Sequence, residues 1–107
     1  MEHPLNDISA AELKERLTTD KLQILDVREQ LEYFTYNIGG QNLPLGDLPE
    51  RIKSIDYNKD EEIVVICQRG IRSETARRIL AASGFSNVRN LTGGLLAYRK
   101  ITEQKEY

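Results

Sequence analysis

Four consecutive apolar residues, Ile63-Val64-Val65-Ile66, do most to limit what this chain can fold into. The run has no polar alternation. That pattern suits a strand buried on both faces, as in a parallel sheet with helices packed above and below. Cys67 stands where the run stops, and a short loop carrying Arg69, Gly70 and Arg72 follows. From Ser73 the spacing turns helical, with Ala76, Ile79, Leu80 and Ser83 in register. Strand, tight loop and helix N-terminus in that order build an anion cradle. Successive loop N–H groups converge on one point, and the first helical turn adds its unpaired N–H groups and the positive end of its dipole.

A thiol at the mouth of such a cradle is expected to ionise early. An ordinary cysteine, with a pKa of about 8.5, is only a few per cent thiolate at neutral pH; a fall of about two units makes it mostly thiolate. Arg69 and Arg72 push the same way. The competing reading is a buried structural cysteine, because cysteine is among the most buried residue types. The flanking arginines and Gly70 favour the reactive thiol. Cys67 is the only cysteine, which excludes an intramolecular disulfide and a Cys-x-x-Cys redox or zinc motif. The one histidine, His3, lies near the N-terminus, which argues against a metal site and against a Cys–His catalytic pair.

The chain has 107 residues, enough for one domain with one core and too few for two; the core is expected over about residues 8–101. With 39% hydrophobic and 30% charged residues, it reads as a soluble globular chain and not a disordered one. A formal net charge of −2 argues against nucleic acid or an anionic membrane as general partners, so the positive charge near Cys67 is a local feature. No apolar stretch is long enough to span a membrane, and no signal-peptide core is present; a cytoplasmic location is the default expectation. Asn90-Leu91-Thr92 matches a glycosylation sequon and reads as chance without a secretory signal.

Elsewhere strands and helices alternate. Ile8 reads as a very short edge strand. Ser9 with Glu12 makes a capping-box pattern, and Ile8 with Leu13 a hydrophobic staple, for a helix over about 10–17. Leu22–Val27 reads as a strand. Asp26 and Arg28 at its end are read as a site-edge pair or, preferably, as an ion pair or cap that fixes the loop. A short helix over 29–36 offers Leu31, Tyr33 and Phe34 for packing. Residues 42–45 read as a short strand containing Pro44, and proline suits an edge or a strand end. Asp47 and Glu50 repeat the capping spacing before an amphipathic helix with Leu48, Ile52 and Ile55 on one face. Gly84 suits the residue after a helix end; residues 87–91 read as the last strand. Gly93-Gly94 permits a close backbone approach before a final helix bearing Leu95, Leu96, Tyr98 and Ile101. The residues before about 8 and after about 101 are expected to fray.

The segment Cys67-Gln68-Arg69-Gly70-Ile71-Arg72-Ser73 is similar to the Cys-x-x-Gly-x-Arg-Ser active loop of single-domain rhodaneses. Three further pieces resemble that family in the same order. They are Leu25-Asp26-Val27-Arg28-Glu29 with Glu32, then Asn42-Leu43-Pro44-Leu45, then Gly84-Phe85-Ser86-Asn87-Val88 leading to Leu91-Thr92-Gly93-Gly94. The resemblance implies a rhodanese-like α/β fold, with about five mainly parallel strands, helices on both faces, and Cys67 at the end of the central strand. Asn37-Ile38-Gly39-Gly40 departs from the family's usual Gly-His-Ile-Pro-Gly-Ala turn, with Asn37 for histidine and Gly39 for proline. Glycine in place of a residue of fixed φ is expected to loosen this backbone. Tyr98 stands where the family often has tryptophan.

The resemblance implies a sulfurtransferase working through a Cys67 persulfide, with thiosulfate as a donor and cyanide or a thiol as acceptor. No general base, metal or other cofactor is called for, because a thiolate needs no deprotonation at the moment of attack. Backbone N–H groups of Gln68, Arg69, Gly70, Ile71, Arg72 and Ser73 would hold the persulfide sulfur. Arg72 and Arg69 would bind the anionic donor. Either could instead pair with a carboxylate such as Asp26 or Glu74. Gly70 would supply an unusual backbone angle, Ile71 would line the mouth, and Ser73 would cap the helix. A persulfide carrier serving protein donors and acceptors, and a non-catalytic interaction module, are the alternatives. A cysteine phosphatase or arsenate reductase fits less well, since four residues and not five separate Cys67 from Arg72.

Overall fold

The computed structural model describes residues 6–103; His3, and the terminal stretches 1–5 and 104–107 expected to fray, lie outside the described residues. Five strands form one parallel sheet: β1 (Asp7–Ile8), β2 (Gln23–Asp26), β3 (Gln41–Asn42), β4 (Ile63–Ile66) and β5 (Val88–Leu91), in the order β1-β5-β4-β2-β3. Every pairing is parallel. The apolar run of β4 is central, flanked by β2 and β5, and all four residues are fully buried. Its side chains alternate between two cores. Ile63, Val65 and Cys67 join Leu25, Val27, Leu48, Ala76 and Leu80 on one face, while Val64 and Ile66 join Ile8, Leu13, Ile24, Leu91 and Leu95 on the other. A polar residue anywhere in β4 would face one core or the other, which is why the sequence shows no alternation there.

Among the described residues, five α-helices cover the sheet: α1 (Ala10–Arg16), α2 (Gln30–Thr35), α3 (Leu48–Arg51), α4 (Ile71–Ala82) and α5 (Gly94–Thr102). Half of the expected capping box forms at the start of α1: the Ser9 hydroxyl accepts from the Glu12 N–H at 3.0 Å, but the Glu12 carboxylate is turned to Arg89 and not back to Ser9; Ile8 and Leu13 are both buried. The amphipathic helix expected from Leu48 is broken up. A 3₁₀ turn (Leu45–Asp47), four α-helical residues and a second 3₁₀ turn (Ile52–Ser54) replace it, and Asp47 makes no side-chain cap. Leu48 and Ile55 are nevertheless buried, so the apolar spacing located the core residues but not the backbone form.

Helix α2 also differs from expectation. Leu31 and Phe34 are 77% and 71% exposed, and no residue of α2 is fully buried. The helix is fixed by polar contacts instead. Glu29 and Glu32 form its capping box, and the Tyr33 hydroxyl donates to the Gly40 carbonyl at 2.8 Å. Asn37 ties off its far end, donating to the Tyr33 carbonyl at 3.0 Å and accepting from the Gly39 N–H at 2.9 Å. The turn expected to be loosened by Gly39 is therefore held by Asn37. The next residue, Gly40, has φ +85° and lies so close to Ile24 that a Cβ would collide with it.

Candidate active site

The site lies beyond the carboxyl end of β4, where ligands are bound in open parallel sheets. Asp26 and Arg28, at the neighbouring end of β2, form an ion pair that is almost wholly buried. The Asp26 carboxylate accepts from the Arg28 N–H and guanidinium, and Arg28 also donates to the Tyr36 carbonyl. The pair is structural: it fixes the path of the chain from β2 into α2. Neither Asp26 nor Glu74 holds the site arginines, because Glu74 is taken by Arg77 and Arg78.

Helix α4 begins at Ile71, two residues before the expected start, with Gly70 as its N-cap at φ +92°. Three backbone groups lie close behind Gly70: a Cβ there would meet the Gly93 N, the Leu91 O and the Gly94 N within 3.2 to 3.5 Å. Gly94 carries the tightest approach. A Cβ on it would meet the Gln68 carbonyl carbon at 2.5 Å and the Arg69 nitrogen at 2.6 Å. The Leu95 N–H donates to the Cys67 carbonyl at 2.8 Å and the Leu96 N–H to the Gln68 carbonyl at 3.0 Å. The first turn of α5 thus clamps the loop from behind, as the Gly93-Gly94 pair led us to expect.

The loop closes on the sulfur. The Gly70 N–H donates to Cys67 Sγ at 3.1 Å and the Ser73 N–H at 3.3 Å, while the Ser73 hydroxyl lies 3.2 Å away. Burial pushes the Cys67 thiol up. The Ser73 hydroxyl and the N–H groups of Ser73, Gly70 and Arg69 outweigh it, so the pKa falls below the ordinary thiol value. Ser73 lies in the first turn of α4, inside the helix and not at its cap, and its side chain is turned onto the sulfur. The expectation of a capping serine is corrected because Gly70, with its positive φ, occupies the cap position.

The other loop residues surround a small opening of about 170 Å³, lined by Cys67, Gln68, Arg69, Ile71 and Arg72. Ile71 is 73% exposed at its rim. Arg69 is exposed and makes no ion pair with the described residues. Arg72 is held by Glu32 of α2 through two parallel bonds, at 2.7 and 3.0 Å. The Glu32 carboxyl is lowered to about 2 by that guanidinium, against some burial, and Arg72 is raised in turn. Among the described residues, no group of carboxylates, histidines and cysteines is placed to hold a metal ion, and no helix is long and apolar enough to cross a membrane.

The family model for the rhodanese-like domain matches residues 9–101. The chain belongs to the rhodanese-like family. Among relatives of this rhodanese-like chain is a Bacillus subtilis protein named "Putative sulfurtransferase YtwF", 37% identical, with 94% of this chain aligned to 97% of that one. A second Bacillus subtilis protein, named "Putative sulfur carrier protein YrkF", is also 37% identical, but this chain covers only 52% of its length. A crystal structure of a rhodanese-like domain protein from Staphylococcus aureus superposes with a TM-score of 0.77 at 32% identity, over 87% of this chain and 90% of that one. The expected five-stranded rhodanese-like α/β fold is thereby established.

Two residues that shape the site escaped the sequence reading. Sequence marks Glu32 as part of a motif but does not pair it with Arg72, forty positions away. Asn90 reads in sequence as a strand residue and a chance sequon, with no tie to the site. It is 7% exposed, accepts from the Ser73 hydroxyl through Oδ1, and donates to the Gly70 carbonyl at 3.1 Å. A signal was present: Asn90 is a polar residue inside a short strand that leads directly into Gly93-Gly94.

Proposed function

We propose that this protein transfers sulfane sulfur from an anionic donor such as thiosulfate to a thiol or cyanide through a persulfide on Cys67. The observation that carries the reading is the set of N–H donors converging on Sγ, because they favour a thiolate and can hold the negative charge of a persulfide. In the first step the Cys67 thiolate attacks the outer sulfur of thiosulfate. A new S–S bond forms, the donor's S–S bond breaks, and sulfite leaves with the electron pair. In the second step the acceptor attacks the terminal sulfur, and Cys67 departs as thiolate. The step order implies ping-pong kinetics. No cofactor enters the scheme beyond the covalent sulfur itself.

Arg69 is the cation we assign to the donor's sulfonate, since Arg72 already spends two donors on Glu32. Arg72 keeps free N–H groups and its charge beside the loop, so it supports the anion at second hand. The same pairing weighs against a phosphatase, whose loop arginine must grip a dianion. Exchange of Arg69 for Ala is expected to raise the KM for thiosulfate more than exchange of Arg72 for Ala, and to weaken its dependence on salt. Equal KM values for Arg69→Ala and wild type would remove Arg69 from donor binding.

A carrier reading is favoured by one observation. Leu31, Phe34 and Ile71 are the exposed large apolar side chains among the described residues, and the Glu32–Arg72 pair joins the two helices that bear them. Small anions have no use for such a surface, whereas a protein donor or acceptor does. The name of YrkF points the same way. Intact-protein mass after incubation with thiosulfate tests both readings. A gain of one sulfur, lost on adding cyanide or a thiol and absent in Cys67→Ser, is the expected result. No gain with thiosulfate, but a gain with a protein persulfide, would replace the small-molecule enzyme by the carrier. No gain from either would reject the persulfide mechanism.

A further inference from the structure

Behind Cys67 the polar groups form a closed ring. The Gly70 N–H donates to Cys67 Sγ, Sγ and the Ser73 hydroxyl are in contact, the Ser73 hydroxyl donates to Asn90 Oδ1, and Asn90 Nδ2 donates to the Gly70 carbonyl. The orientation of the Asn90 amide is fixed by chemistry. The Gly70 carbonyl can only accept, so the NH₂ must face it and the oxygen must face Ser73. Ser73, Cys67 and Asn90 are all buried, so a bond lost by any of them leaves a buried polar group short of a partner.

A hydroxyl has one proton to give. While Cys67 is a thiol, the ring is complete: the S–H donates to Ser73, and Ser73 donates to Asn90. When Cys67 loses its proton, the best use of the Ser73 proton is the sulfur anion. Turning it there leaves Asn90 Oδ1 buried without a donor, which carries a cost. We propose that Asn90 is a positioning residue that holds the Ser73 hydroxyl proton away from Cys67 and so sets how readily the nucleophile ionises. Asn90 touches neither substrate nor sulfur; it acts through Ser73.

Charged groups near the sulfur do not account for such an effect from β5. Arg69 and Arg72 lie on the loop and on α4, Glu32 on α2 neutralises Arg72, and the Asp26–Arg28 pair beyond β2 is internally balanced. The first turn of α5, packed behind the loop, has no acidic residue, and Asn90 itself is uncharged. Asp7, the register partner of Asn90 on β1, is exposed and stays in place in every variant, so a change at Asn90 alters no charge near the sulfur.

The proposal predicts a direction opposite to that of simple damage. If Asn90 only braced the loop through Gly70, its removal would loosen the N–H groups on Sγ and raise the Cys67 pKa. If it competes for the Ser73 proton, its removal frees that proton and lowers the pKa, by about half a unit to one unit. The measurement is the thiolate's ultraviolet absorbance against pH, with Cys67→Ser as the blank. Because Cys67 is the only cysteine, alkylation rate against pH reads the same group independently. Asn90→Ala should lower the pKa, and Ser73→Ala should raise it. The double variant should match Ser73→Ala alone, since Asn90 has nothing to act on once the hydroxyl is gone. Asn90→Val, suited to a strand, serves if the alanine variant does not fold. A rise or no shift in the Asn90 variant, or a shift that survives in the Ser73→Ala background, would overturn the proposal. The titration needs no sulfur donor, so its outcome is separate from that of the persulfide test.

Discussion

Gly94→Ala probes the clamp behind the nucleophile, and Gly39→Ala supplies its control. Both glycines have positive φ, +66° and +95°, so a methyl group meets a backbone penalty of about 1–2 kcal/mol at each. They differ in what surrounds them. Nothing lies within 4 Å of a Cβ on Gly39, whereas one on Gly94 would stand 2.5 Å from the Gln68 carbonyl carbon and 2.6 Å from the Arg69 nitrogen. Reaching even a 3.0 Å contact requires the loop backbone to retreat by about half an ångström, and that loop is backbone with no flexible side chain to swing aside. Overpacking of this kind adds about 1–3 kcal/mol. The retreat also stretches the bonds from Leu95 and Leu96 to the Cys67 and Gln68 carbonyls. Urea unfolding should therefore show Gly94→Ala about 1–3 kcal/mol less stable than Gly39→Ala. Alkylation of Cys67 at neutral pH should slow in Gly94→Ala and stay unchanged in Gly39→Ala, because only the former moves the N–H groups that face Sγ. Equal stability losses, together with an unchanged alkylation rate in Gly94→Ala, would refute the argument from close approach.

Two further outcomes follow from the ion pairs. Arg28→Met leaves the Asp26 carboxylate buried without its partner and should cost about 3–5 kcal/mol, read as a fall in the urea midpoint; a loss under about 1 kcal/mol would show that water reaches Asp26. Glu32 is held at about 2 in the fold, below its unfolded value of about 4.3, so its pairing stabilises fully above the unfolded value and is lost as pH falls through the folded one. Both partners are about a third exposed, and screening reduces the contribution to about 0.5–1 kcal/mol. Glu32→Gln, which retains the capping bond to Glu29, should lower the urea midpoint at about pH 6, with the gap to wild type narrowing towards about pH 3. A gap independent of pH would mean that charge pairing is not what Glu32 contributes.

The sequence carried what depends on local pattern and on burial. The unbroken run of β4 implied a strand covered on both faces, and both cores meet there. Ser9 and Glu12 marked the start of α1, and Gly93-Gly94 marked the close approach to the loop, because a cap and a missing Cβ are properties of adjacent residues. Cys67 at the end of the apolar run, followed by Gly70, was enough to locate the candidate nucleophile. The failures have physical causes as well. Leu31 and Phe34 look like packing residues in sequence, yet α2 is anchored by its capping box, Tyr33 and Asn37, so its apolar side chains face outward. The break of the helix around Leu48 into 3₁₀ turns was invisible because apolar spacing reports which residues are buried and not how many residues make a turn.

Tertiary structure alone decided the partners. In sequence terms Asp26 and Glu74 were the carboxylates offered to Arg72, and only the approach of α2 to the first turn of α4 selected Glu32 instead. Ser73 became a hydrogen-bond partner of the sulfur because Gly70 took the cap position one turn earlier. Asn90 reached Ser73 because β5 pairs beside β4, across seventeen residues of chain. Local propensity acts over one helical turn or a few strand residues, while the direction of a hydrogen bond or an ion pair is set by which elements the sheet order brings side by side.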